Sequence, residues 1–164
     1  MASAGTPHSM STSNLASYLN DHLAGSVAGL ELVRHLVDVS KDAELRRFFQ
    51  QLRLDLEADQ DALERVLKDA AVSESGLRQA AAWLLDKAGW TKMKLAGTEP
   101  SGLGMLQALE ALLLGIAGKR ALWRALSVTT LPGAFAELER RADDQIAEVE
   151  ARRLAVAKAA LTAT

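Results

Sequence analysis

Four polar residues interrupt the apolar faces of segments that otherwise have helical spacing, and their side chains could carry chemistry. They are His22, Asp59, Glu110 and Gln145. Imidazole and carboxylate groups bind divalent metals, whereas an amide is a poor ligand for transition metals. The same side chains could instead hydrogen-bond to one another, because polar groups in a core need partners. The residue types therefore leave two alternatives, a metal site and a structural polar layer.

Long helices are predicted to position these residues. Apolar side chains recur at helical spacing over residues 13–39, 40–70, 102–128 and 133–161. The third segment is apolar almost all the way round, which predicts burial on more than one side. Its glycines, among them Gly115 and Gly118, are predicted to permit close approach of a neighbouring helix. Ser40 is predicted to cap the second helix, and an extra short helix is predicted to begin near Glu74.

The predicted turns bring the polar residues to similar heights. In a hairpin of opposed helices, His22 is level with Asp59, and Ser26 lies about one turn away. The distances of Glu110 and Gln145 from the turn between their helices agree to within roughly five residues, or about 7 Å at helical rise. The leading interpretation is a polar layer at mid-height, with Asp59 and Gln145 at its centre. The stronger apolar face of the third helix leaves Glu110 pointing away from the bundle centre.

Two long helical hairpins with inward polar residues at mid-height resemble the ferritin-like superfamily of four-helix bundles. The resemblance covers about residues 13–161. It implies an all-α fold, an antiparallel up-down four-helix bundle, here with the extra short helix between the second and third core helices. The predicted organisation is a disordered tail over residues 1–12 and a single helical-bundle domain over 13–164.

Di-iron members of that superfamily carry a Glu on each of two helices and Glu-x-x-His on each of the other two. The present sequence contains no Glu-x-x-His, and Ser26 holds the central position of the first helix. We therefore expect a non-catalytic bundle with a structural or protein-interaction role and no cofactor. The alternative is a metal-binding ferritin-like protein with an atypical ligand set, His22, Asp59 and Glu110.

Composition excludes several classes of binding partner and site. A net charge of -2 gives no electrostatic basis for binding nucleic acid. The absence of cysteine excludes disulfides and thiolate metal sites. The longest apolar run, residues 102–118, is shorter than the roughly 20 residues that a membrane helix needs, and no signal peptide is evident, so a cytoplasmic location is expected.

Trp83 and Trp90 alternate with lysines in the segment 74–96. Stacking on a nucleic acid is one interpretation of this pattern. Without a basic domain, packing of the two indoles onto the bundle or onto another subunit is favoured. The segment 74–96 is thus the predicted surface for self-association, as a homodimer.

Overall fold

The computed structural model describes residues 7–70 and 102–162, with side chains from residue 14 onward. All regular structure in these two ranges is helical, which confirms the predicted all-α class. The helices are α1 (Pro7–Val39), α2 (Ala43–Asp69), α3 (Leu103–Ser127) and α4 (Phe135–Thr162). No helix in these ranges combines the length and the apolar character needed to cross a membrane.

One difference from the predicted boundaries concerns the start of the first helix. The helix α1 begins at Pro7 and so includes half of the stretch predicted as a tail. Proline suits the first turn of a helix, because its missing N–H would have no intrahelical partner there. Residues 1–6 and the predicted extra helix after Glu74 lie outside the described residues.

The turn between α1 and α2 is longer than predicted, and the prediction that Ser40 caps α2 is wrong. Asp42 is the cap, and its carboxylate accepts a hydrogen bond from the Leu45 amide at 2.7 Å. Ser40 is buried and directly follows α1, where its hydroxyl donates to the Leu36 carbonyl at 2.5 Å. The Ser40 carbonyl in turn accepts from the Arg46 guanidinium at 2.6 Å, which fixes the turn.

The helices pack around one core as two pairs of consecutive helices, here called the first hairpin (α1 and α2) and the second hairpin (α3 and α4). Close backbone packing occurs between α1 and α2, between α3 and α4, and between α1 and α3. Trp123 and Phe135 stack at the closed end of the second hairpin, with ring centroids 6.3 Å apart. The core also contains these residues, all shielded from water: Leu19, Leu36, Phe49, Leu67, Met105, Leu109, Ile116 and Val149.

Polar contacts run in opposite order along the paired helices. Between the first two helices, Ser26 lies 3.2 Å from Gln60, and Arg34 lies 3.0 Å from Glu57. As residue numbers rise along α1, those of the contacted residues fall along α2. The second hairpin follows the same rule, with the pairs Glu110–Arg153 at 3.5 Å, Arg120–Asp143 at 2.9 Å and Arg124–Glu139 at 3.8 Å.

Candidate functional site

A buried ionic cluster joins three helices near the middle of the molecule. Its members are Asp59 on α2, Lys119 on α3, and Arg141 and Gln145 on α4, and together they are called the Asp59 cluster. The Lys119 ammonium contacts both the Asp59 carboxylate and the Gln145 side-chain carbonyl. Gln145 Nε2 donates to Asp59 Oδ2 at 3.0 Å. Arg141 Nη2 lies 2.9 Å from Asp59 Oδ1, a charge contact rather than a directed hydrogen bond.

Helical spacing explains why these side chains converge. Asp59 lies on the buried stripe of α2, between Leu52 and Leu63. Arg141 and Gln145 are four residues apart, so both project from the same face of α4. Residues three and four apart share a helix face, and each of these polar groups therefore replaces an apolar residue on an inward stripe.

Burial sets the electrostatics of the cluster. The Asp59 side chain is 2% exposed and that of Lys119 is 13% exposed, whereas Arg141 lies at the rim with 35% exposure. Loss of hydration lowers the pKa of Lys119. The Asp59 carboxylate opposes that shift, the Arg141 guanidinium adds to it, and Asp55 one turn earlier opposes it again. A cation this poorly hydrated depends on its carboxylate partner.

The structure brings together two of the predicted polar residues, Asp59 and Gln145. It does not bring Ser26 or Glu110 to them. Ser26 Oγ lies 2.7 Å from the carbonyl of Leu23 and bonds Gln60 instead. The Glu110 side chain is 49% exposed and pairs with Arg153, because α3 turns its stronger apolar face inward.

His22 has a different neighbourhood. Its ring is half-buried and lies edge-on to Tyr18, with centroids 4.7 Å apart. Desolvation lowers the pKa of His22, and the nearby Asp21 carboxylate only partly opposes this. Within residues 7–70 and 102–162, no three His, Asp or Glu residues are arranged to hold a metal ion.

The predicted polar interruptions of the apolar stripes do not include two members of the cluster, Lys119 and Arg141. Helical spacing pairs Arg141 with Glu137, but Glu137 pairs with Arg140 at 2.6 Å and Arg141 turns inward to Asp59. The position of Lys119 in the sequence nevertheless indicates a buried side chain. It lies between Ile116 and Trp123 on a buried stripe, and a lysine in that register needs an acid.

A cavity of about 440 Å³ adjoins the cluster, between α1, α2 and α3. Asp59 and Lys119 lie at its wall together with His22. Four glycines also line it, Gly25 and Gly29 from α1 and Gly115 and Gly118 from α3. It is called the glycine-lined cavity. Its volume falls in the range typical of small-molecule sites, roughly 300–1,000 Å³.

Comparisons with protein-family models, with curated proteins and with solved structures give no match to this chain. The chemistry of the site therefore follows from its own geometry. The two oxygens of the Asp59 carboxylate both contact cations, which leaves this group little capacity for a metal.

Proposed function

We propose that this protein is a non-catalytic, ferritin-like bundle of antiparallel up-down helices that acts as a structural or protein-interaction module. The opposed order of the contacts within each hairpin supports the antiparallel arrangement. The short connections also support it, since consecutive helices joined by a few residues pack as antiparallel neighbours.

The Asp59 cluster is the observation that carries the proposal. In the superfamily that the sequence resembles, metal ligands project inward from the helices at this height. In this chain an ammonium and a guanidinium take up the charge of the inward carboxylate, and Gln145 supplies the remaining hydrogen bond. Organic cations thereby fill the electrostatic role that a metal would have, and they hold the two hairpins in one register.

Metal analysis of protein purified without chelator tests this proposal. We expect iron, manganese and zinc well below one ion per chain. The rival is a metalloprotein with an atypical ligand set, and the placement of His22 and Asp59 at the wall of one cavity is the observation that favours it. One ion per chain in the wild type, lost in both His22→Ala and Asp59→Ala, would establish the rival.

Self-association belongs to the same proposal. Several large apolar side chains are exposed on the surface of the described helices, among them Leu103, Leu114, Leu154 and Leu161. Exposed apolar surface of this kind favours association. The segment 74–96, which lies outside the described residues, is the other proposed contact. Sedimentation velocity is expected to show a homodimer, and a strict monomer at high micromolar concentration would refute this part.

A further inference from the structure

The glycines of the cavity do not serve close helix packing. A Cβ added to any of Gly25, Gly29, Gly115 or Gly118 would meet no atom within 4 Å. The prediction that Gly115 and Gly118 permit close helix approach is therefore wrong. Each glycine weakens its helix relative to alanine, yet all four lie on the walls of one cavity. Their common effect is to leave room between α1 and α3.

Two side chains that line this cavity carry nitrogen donors with unused capacity. Lys119 and Trp123 are four residues apart on α3 and both line the cavity. The Trp123 indole N–H is fully buried and has no acceptor among the residues that the structure describes. An ammonium has three donors, and Lys119 directs contacts to two acceptors, Asp59 and Gln145.

The rest of the wall is mainly apolar. Leu32 from α1, Leu63 from α2, and Leu112 and Ile116 from α3 all line the cavity. An apolar enclosure with a few convergent polar groups is typical of small-molecule sites. Asp59 Oδ1 accepts no hydrogen bond, but it lies 2.9 Å from Arg141 Nη2, so two cations surround this single carboxylate. Asp21 also lies at the wall, but it is exposed to solvent.

We propose that the glycine-lined cavity binds a small amphipathic molecule with an apolar body and a carboxylate head. The body lies between Leu32, Leu112 and Ile116, and the head accepts hydrogen bonds from Lys119 and Trp123. A carboxylate is preferred to a neutral carbonyl because Lys119 is a poorly hydrated cation that shares its carboxylate with Arg141. This site goes beyond the proposed structural role and does not depend on it.

Three probes with the same chain and different heads test the assignment: octanoate, 1-octanol and octylammonium, each titrated into the full chain by calorimetry. We expect octanoate to bind one per chain, at least about tenfold more tightly than either of the other two. In NMR spectra the indole N–H signal of Trp123, identified by its loss in Trp123→Phe, should shift with octanoate.

Matched variants locate the binding. Gly29→Leu and Gly118→Leu place a side chain in the open space of the cavity and should remove octanoate binding while thermal unfolding stays cooperative. Ala147→Leu places the same side chain at an exposed position of α4 and should leave binding unchanged.

Several outcomes would overturn the proposal. Equal affinity for 1-octanol would refute the carboxylate head, and tighter binding of octylammonium would point to Asp21 or Asp59. Full octanoate affinity in folded Gly118→Leu would place the probe elsewhere. If no probe binds and Gly118→Leu changes the sedimentation coefficient, the glycine-lined cavity is part of an interface between copies of the chain.

Discussion

The free energy of a buried carboxylate depends on what surrounds it, and Asp59 has three partners from two other helices. Removing one partner from a buried ion pair leaves the other charge desolvated and uncompensated. The dependence is mutual, because Lys119 is nearly as well buried as Asp59. The cluster therefore behaves as a unit in mutational tests.

Asp59→Ala is expected to reduce the free energy of unfolding by about 3–5 kcal/mol, since it strands Lys119 inside the bundle. Urea denaturation measures this value. Asp143→Ala is the matched control, because Asp143 forms a similar ion pair with Arg120 on the surface. That variant should change stability by less than about 1 kcal/mol. Equal effects of the two substitutions would mean that Asp59 is not energetically buried.

His22 should make the protein sensitive to mild acid. Its native pKa lies below the ordinary 6.5 because burial disfavours the imidazolium. Between the two pKa values the unfolded chain binds more protons than the native state, so stability is full above 6.5 and is lost as pH falls below it. His22→Gln removes this linkage. Between about pH 7.5 and about pH 5, the urea midpoint of unfolding should decrease more for the wild type than for the variant. An equal fall in both proteins would contradict the burial of His22.

At the scale of the helices, the stability contributed by a helix cap can be measured without changing the core. Asp42 satisfies a free amide at the start of α2. Asp42→Ala should therefore cost about 1 kcal/mol in the free energy of unfolding. Lys41→Ala, at the neighbouring exposed position, is the control and should be nearly neutral. If both variants unfold at the same urea concentration, the cap contributes nothing.

The glycines of α1 and α3 offer a test of the opposite sign. Gly29→Ala and Gly118→Ala should each raise the free energy of unfolding by roughly 0.5–1 kcal/mol, because the added methyl meets no atom and favours the helix. Gly133→Ala should destabilise, since its Cβ would lie 2.5 Å from the Phe135 ring. Thermal melts of the three variants measure both effects. Destabilisation at Gly29 and Gly118 would mean that the added methyl groups do clash at the cavity wall.

The sequence was sufficient to predict the helices and two residues of the Asp59 cluster. Apolar spacing located all four helices in the described ranges to within a few residues at most ends, and it singled out Asp59 and Gln145, because a polar residue on an apolar stripe is visible in one dimension. It did not pair them with Lys119 and Arg141. Several rotamers of a long basic side chain are compatible with one sequence, and the tertiary neighbour chooses among them.

At the scale of the whole molecule, the Asp59 cluster joins the two hairpins. Contacts between α2 and α4 are made by long side chains rather than by close backbone packing, and Arg152 adds a 2.9 Å pair to Glu44 near the other end. Polar contacts of this kind specify register in some bundles.

The combined variant Asp59→Leu with Lys119→Met tests this role. Replacing a buried ion pair by apolar residues of similar size is often neutral or stabilising by about 1–4 kcal/mol. We expect the melting temperature to be kept and the dispersion of amide NMR signals to shrink as register becomes less unique. Full dispersion together with a raised melting temperature would show that the pair does not specify register.

The same cluster also has a consequence for the order of events during folding. Asp59 is separated by 60 residues from Lys119 and by 86 from Gln145. Contacts between such distant residues form late, because long chain segments must be closed first. On the ribosome, the first hairpin emerges with a hydrated carboxylate on its inner face, before its basic partners have been synthesised. Docking of the second hairpin strips that water, so we expect Asp59→Ala to accelerate unfolding more than it slows folding.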